Sequence, residues 1–300
     1  MIAQLNGRPD GPTPAPTWES VRGLARAAEE VGFDSFVFED ALLYRGPQST
    51  NGCWESMSIA AALAVATERI EFGQSVINAP YRSAAMIAKM AETIDEISGG
   101  RYLFGIGAGN TEDSDYEAFG FPTDARYSRF AEAIQIIHAL LKTGAVDFDG
   151  EYHSARQAEL VLRGPRPTGP PIIIAASGPK MMRLTARYGD VWNWWCADPG
   201  DSGPLVPLIE RLNGACGEEG RDPASLGRTV DLYTVDPMGR VETEEAKVPG
   251  SPLVGSPEEI AEAILGFQSL GFDEARCNLY PRTVDAVEAM APVVELVQAG

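Results

Sequence analysis

Histidine is nearly absent: His138 and His153 are the only two in 300 residues. A histidine-rich metal centre has no ligands to draw on. Cysteine is sparse as well. Cys53, Cys196, Cys216 and Cys277 lie far apart and form no C-x-x-C pair, so reduced thiols are expected rather than a disulfide framework. Lysine occurs four times, at Lys89, Lys142, Lys180 and Lys247, and no dense Lys/Arg run exists. Against 24 Lys+Arg stand 43 Asp+Glu, a formal net charge of −19, and a field of that sign repels nucleic acid and anionic lipid. Neither is an expected partner. No apolar run reaches the roughly 18 residues of a membrane span. The first residues, MIAQLNGRPDGPTPAP, lack the basic and apolar regions of a signal peptide. A cytoplasmic protein is expected.

What is present is an ordinary globular composition, 44% hydrophobic, arranged in a regular alternation. Short apolar stretches at Ile2–Leu5, Ser35–Glu39, Ile70–Val76, Arg101–Gly107, Pro171–Ala175, Asp190–Trp194, Thr229–Val235 and Glu274–Tyr280 read as strands. Helical spacing follows each, near 17–31, 54–68, 83–97, 124–142, 179–188, 204–217, 257–270 and 283–298. Strict βα order implies parallel strands with helical crossovers. Eight units predict a single α/β domain over residues 1–300, a (β/α)8 TIM barrel with insertion segments, ahead of a doubly wound open sheet.

The joints agree. Val31-Gly32-Phe33-Asp34 and Leu270-Gly271-Phe272-Asp273 repeat one helix–glycine–strand junction, and Tyr188-Gly189-Asp190 is a shorter version. Glycine there suits the left-handed position past a helix end. Ser256-Pro257-Glu258-Glu259 reads as a capping box with proline at the first helical position. A barrel of this kind takes roughly 250 residues, and the surplus falls at 109–123, 143–170, 195–203 and 236–255. Asp149-Gly150 predicts a small hairpin turn between Val146-Asp147-Phe148 and Glu151-Tyr152-His153.

Several strand ends carry chemistry. Gly105-Ile106-Gly107-Ala108-Gly109 ends a strand instead of opening a helix, and acids follow it, so it is no dinucleotide fingerprint. Glycines there admit a close approach to the backbone, by a ligand or by the protein itself. Ala175-Ala176-Ser177-Gly178-Pro179-Lys180-Met181 runs from a buried strand into a helix. It is either a plain Ser-capped start or an anion site built from N–H groups and the Ser177 hydroxyl. Glu39-Asp40 closes the second strand, as acid–base groups, polar anchors or a capped loop. Asn78 offers a donor and an acceptor to a heterocycle edge, with Arg82 near the rim. Trp192 and Trp194 share one side of their strand by its period of two. They wall a flat-ring pocket or pack the barrel. His138 sits on a mostly apolar helix and reads as structural. No Gly-x-Ser-x-Gly elbow, Walker loop or His-Glu-x-x-His occurs.

Together these segments resemble the bacterial-luciferase-like flavin/deazaflavin oxidoreductase family. The resemblance lies in Leu24–Asp34, Ala61–Arg69, Leu103–Gly109 followed by Tyr116–Gly120, Asp149–His153, and Ala175–Pro179 through Tyr188–Asn193. It implies a (β/α)8 barrel holding coenzyme F420, or alternatively FMN, at the strand C-termini. By position, Asp40, Asn78, Ala108 and Gly109, with Asn110 beside them, would line the ring. Ser177, Gly178, Lys180 and Met181 would hold the phosphate. The Ser75–Val76 bond falls where the family often has a non-proline cis peptide. Glu39 and Trp194 are expected in the substrate pocket.

Ala41 replaces a catalytic histidine common among deazaflavin members, and Asn110 stands where the sugar-phosphate dehydrogenase branch has a glutamate. Oxidation of sugar phosphates or secondary alcohols through that dyad is therefore not expected, and no residue is assigned as the proton donor. Asn110, Glu39 or an ordered water would polarise the reacting group. The resemblance implies hydride transfer between the cofactor and a small organic substrate, by a homodimer or higher homo-oligomer. The alternatives are an FMN-dependent monooxygenase using O2 and a non-catalytic flavin-binding barrel.

Overall fold

Eight main strands are each followed by a helix in the computed structural model, which describes residues 1–9, 15–46, 49–109, 114–240 and 250–300. The main strands are β1 (Ile2–Ala3), β2 (Ser35–Phe38), β3 (Glu71–Gln74), β4 (Tyr102–Gly107), β5 (Ile172–Ala175), β6 (Val191–Cys196), β7 (Gly227–Asp236) and β8 (Glu274–Leu279). The helices following them are α1 (Trp18–Val31), α2 (Ser56–Ala66), α3 (Ala84–Ser98), α4 (Arg126–Thr143), α5 (Pro179–Tyr188), α6 (Val206–Glu218), α7 (Pro257–Gly266) and α8 (Ala291–Ala299). Each predicted strand is present, and this order is that of the (β/α)8 class. No helix among the described residues is long and apolar enough to cross a membrane.

The chain divides into two compact units. One comprises Met1–Ala3, Trp18–Val37 and Ala176–Gly300; the other comprises Gln4–Thr17 and Phe38–Ala175. In the first, β6, β7, β8 and β1 lie side by side, all parallel. One face of these strands buries Trp192, Val230, Leu232 and Cys277. Trp192 stacks on Phe272 with ring centroids 5.8 Å apart, and its indole N–H donates to the Ala176 carbonyl at 2.8 Å. The capping box at α7 is present, with Ser256 N–H donating to Glu259 Oε2 at 2.7 Å and Glu259 N–H to Ser256 Oγ at 3.3 Å.

Two junction glycines behave as expected, with φ of +98° at Gly32 and +83° at Gly271. Gly189 does not: its φ is −82°, so that joint needs no left-handed residue. The helix expected over 283–298 is broken into Val284–Glu288 and α8. Pro292 explains the break, because it lacks an N–H and disfavours helical geometry just before it. The helix expected to reach 270 stops at Gly266, and a short 3-10 turn covers Gln268–Leu270.

In the second unit, β4 lies between β3 and β5, all parallel, with Ile77–Asn78 also paired on β4. The strands approach one another closely because glycines line them. A Cβ on Gly73 would stand 1.8 Å from the Leu103 carbonyl oxygen, and one on Gly105 would stand 2.1 Å from that of Gln74. Sequence reasoning overlooked a small antiparallel sheet of Asn6–Gly7, Thr50–Cys53 and Leu43–Arg45. Its strands are too short and polar to show a period.

The predicted hairpin exists between Ala145–Asp149 and Ser154–Glu159, but its turn is longer than Asp149-Gly150 suggests. Residues 151–153, read as strand, lie in the turn. The Glu132 carboxylate accepts their three N–H groups at 2.8–2.9 Å, taking the bonds a partner strand would have made.

Candidate functional site

β2 ends in Glu39-Asp40, and the two acids have different partners. The buried Asp40 carboxylate accepts four hydrogen bonds. To Oδ1 come the Ser56 hydroxyl at 2.7 Å and Arg82 Nη2 at 2.9 Å; to Oδ2 come the Asn78 N–H at 2.9 Å and Arg82 Nη1 at 2.8 Å. A carboxylate has about four acceptor directions, so Asp40 is saturated. Its main-chain carbonyl accepts the Asn78 side-chain amide. Arg82 is shared with Glu55, which also caps α2 by accepting the Ser58 N–H at 2.7 Å and the Met57 N–H at 3.2 Å.

The charges here follow from those bonds. Burial alone would lower the Arg82 pKa, but its bonds to Asp40 and Glu55 raise it above the ordinary arginine value. Burial alone would raise the Glu55 pKa, but bonds from Ser58 and Arg82 bring it below the usual carboxylate value. Beneath them, Tyr102 donates to Gln74 Oε1 at 2.5 Å, and Gln74 donates to the Ser56 carbonyl at 3.2 Å. Burial pushes the Tyr102 hydroxyl pKa well up, keeping it a neutral donor.

Asn78 is therefore held from two sides, with its amide nitrogen committed to Asp40. Its Oδ1 lies 3.5 Å from the hydroxyl of buried Tyr116, a long contact. Gly109 meets the same pair: its φ is +80°, and a Cβ there would stand 1.9 Å from the Tyr116 hydroxyl and 3.3 Å from Asn78 Oδ1. Arg126 donates to the Gly109 carbonyl at 2.9 Å. The Ser75–Val76 peptide is cis, and the Ser75 N–H donates to the Phe38 carbonyl at 2.9 Å. Val76 then packs over β4, its methyl groups 3.0–3.1 Å from where a Cβ would lie on Gly107 and Gly105. Those two glycines make room for the protein's own strand. Asp40, Ser75, Val76, Asn78, Ala108 and Gly109 thus all belong to one unit, at the ends of β2, β3 and β4. Asn110 lies outside the described residues.

Glu39 accepts the Leu5 N–H at 2.7 Å, the Asn6 amide at 2.8 Å and the Tyr44 hydroxyl at 2.7 Å. It ties the small antiparallel sheet to the end of β2.

In the other unit, β6 follows α5, whose start lies at Gly178. No side chain caps this helix, so Ser177 is not its cap. The Ser177 carbonyl instead accepts Arg211 Nη1 of α6 at 2.6 Å. Nothing lies within 4 Å of where a Cβ on Gly178 would stand, which leaves that backbone open. Lys180 is exposed and Met181 half-buried in the first turn. On β6, half-buried Trp194 stacks on Trp195 at 6.0 Å. Sequence reasoning gave no role to Arg82, Glu55, Ser56, Tyr116 or Arg211. Arg82 was visible near the rim of its strand, but its partners lie 27 and 42 residues away.

These residues fit a flat ring and an anion. Ala108 and Gly109 carry no side chain longer than a methyl, and beside Gly109 stand the Tyr116 hydroxyl and the fixed Asn78 amide. The uncapped helix start supplies the main-chain dipoles that anions favour.

The family model described as luciferase-like monooxygenase matches residues 1–235, and the chain belongs to that family. Its fold is the (β/α)8 TIM barrel. The F420-dependent hydroxymycolic acid dehydrogenase of Mycobacterium tuberculosis is 31% identical over 214 residues, covering 70% of this chain and 57% of that protein. The pyrimidine monooxygenase RutA of Stutzerimonas stutzeri is 31% identical over 228 residues, covering 72% and 61% respectively. A solved coenzyme F420-dependent tetrahydromethanopterin reductase from Methanopyrus kandleri superposes with a TM-score of 0.76 over 100% of this chain and 97% of its own, at 17% identity. Members of the family are oxidoreductases and monooxygenases, and the chain falls in the flavin- and deazaflavin-dependent redox class.

Proposed function

We propose that the protein is an oxidoreductase that moves a hydride between coenzyme F420 and a small organic substrate. The observation that carries this reading is Asn78, locked by Asp40 beside the Ala108-Gly109 end of β4. When bound, the deazaflavin ring supplies the hydride chemistry. The protein's part is positional. With its amide nitrogen donated to the Asp40 carbonyl, Asn78 keeps its oxygen, 3.5 Å from the Tyr116 hydroxyl, as the acceptor offered to a ring N–H. Asp40 moves no proton, because all its acceptor directions are taken; it orients Asn78 and neutralises Arg82. The resemblance assigns the cofactor's phosphate to the α5 start through Ser177, Gly178, Lys180 and Met181. Arg211 joins that group, bringing a second cation to an otherwise acidic chain.

Purified protein reconstituted with either cofactor tests the assignment. Tight F420 binding is expected, with affinity at least tenfold lower in Asn78→Leu. Tight FMN binding without F420 affinity would overturn it. A second reading, an FMN-dependent monooxygenase, is favoured by the likeness to a pyrimidine monooxygenase. It requires O2 uptake coupled to substrate turnover.

Self-association is proposed on a separate observation. α2 carries no charged side chain along Ser56–Ala66, and its Val65 is 75% exposed, on a chain of net charge −19. Two copies meeting there bury apolar surface without setting like charges opposite each other. Sedimentation should report a dimer; a monomer at micromolar concentration would contradict it.

A further inference from the structure

The strands β6, β7 and β8 have one face packed with apolar groups and another that changes character along its length. In the parallel register, Asn193 pairs with Thr229 and Thr229 with Glu274, while Trp195 pairs with Asp231 and Asp231 with Arg276. The Asn193 amide donates to Thr229 Oγ1 and to Asp231 Oδ1, both at 3.0 Å, so these side chains share a face. Glu274 and Arg276 follow on it, Arg276 Nε donating to Glu274 Oε2 at 2.9 Å. Alternation carries the same face on to Trp195 and Tyr233. Trp192 belongs to the opposite face, on which it is fully buried, whereas the ring of Trp194 lies against that of Trp195.

Along this face, the layers nearer the strand starts are polar side chains bonded to one another. The layer nearest the C-terminal ends is aromatic and open. Trp195 is 46% exposed, yet it is held between two rings. Tyr233 meets it edge-on at 5.5 Å and 68°, and Trp194 stacks on it at 6.0 Å and 29°. The Tyr233 hydroxyl and the Trp195 indole N–H have no protein partner among the described residues. Exposed aromatic surface in a fixed orientation, carrying uncommitted donors, is the usual composition of a small-molecule recognition wall. Barrel enzymes build such walls at the strand C-termini.

We infer that Trp195 and Tyr233 recognise the substrate, and that the substrate is a flat aromatic or conjugated molecule bearing a hydroxyl or carbonyl group. Trp195 stacks on its ring and the Tyr233 hydroxyl bonds its polar group. Trp194, expected in the pocket from sequence, serves as the backing for Trp195. This inference names the substrate class for the oxidoreductase reading above and rests on it for the reaction, but the recognition can be measured without turnover.

The purified protein is titrated by equilibrium dialysis with 2-naphthol, 2-methylnaphthalene and cyclohexanol, each without cofactor and with saturating F420 or FMN. In at least one of these states 2-naphthol should bind at least tenfold more tightly than cyclohexanol. Trp195→Leu should remove that preference and Trp195→Phe should retain part of it. Tyr233→Phe should erase the advantage of 2-naphthol over 2-methylnaphthalene while leaving stacking intact. Cofactor affinity and melting temperature, read on the same variants, should be unchanged. Failure to bind either cofactor would sink the oxidoreductase reading and leave aromatic recognition standing. Equal binding of 2-naphthol and cyclohexanol in every state, or an unchanged preference in folded Trp195→Leu, overturns the inference itself.

Discussion

Asp40 and Arg82 hold each other through two parallel hydrogen bonds of 2.8 and 2.9 Å, with both side chains largely removed from water. Removing one partner of such a pair strands the other charge, which typically costs roughly 3–5 kcal/mol. Arg82→Met should lower the unfolding free energy by about that amount, read by urea denaturation. A loss below about 1 kcal/mol, the scale of a surface pair, would mean that Ser56 and Asn78 alone satisfy Asp40. Glu55 adds a pH dependence. Its folded pKa lies below the usual carboxylate value, so its contribution is complete above about pH 4.3 and is lost as pH falls through the folded value. Glu55→Gln should therefore flatten the acid limb of the stability profile and leave its neutral limb sloped as before. An unaltered acid limb would contradict the bonding described. At this scale the sequence was partly legible. Glu39-Asp40 and Asn78 announced polar strand ends, but whether an acid is reactive or saturated depends on donors such as Ser56 and Arg82, which the chain brings back from other elements.

Elements were read best where one physical rule governs them. Buried parallel strands and amphipathic helices have distinct periods, so every main strand and its helix could be placed from the pattern. Boundaries failed where a single residue competes with the period: Pro292 divides the last helix, and Glu132 draws residues 151–153 out of a strand into a turn. The glycines of β3 and β4 are the other lesson. Gly105 and Gly107 suggested room for a ligand as readily as for the protein, and the nearest occupants are the Gln74 carbonyl and the Val76 side chain. Gly105→Ala should force β3 and β4 apart, because its Cβ would lie 2.1 Å from that carbonyl oxygen. Destabilisation at or above the roughly 1–3 kcal/mol of ordinary overpacking is expected, measured by thermal or urea unfolding. A near-neutral variant would show that the strands can separate without cost.

Across the whole molecule, the acidic charge limits how partners are met. On the proposed reading, a phosphorylated cofactor is held by main-chain dipoles and a few cations, as around Gly178, Lys180 and Arg211, because the wider field opposes it. The same field makes an uncharged surface the natural place for self-association. Val65→Glu should convert a dimer to monomer in sedimentation without lowering the melting temperature; a persistent dimer would move the interface elsewhere. Family and fold were legible because many weak motifs occur in order, and the family model matches residues 1–235. A proton donor was not, since Ala41 stands where the resemblance implies a histidine and no other residue type marks a replacement. The most direct test of the account is the absorbance spectrum of pure protein after equilibration with equimolar F420 and FMN, followed by gel filtration. Retained F420, lost in Asn78→Leu, is the expected result; retained FMN alone, unaffected by that substitution, would contradict it.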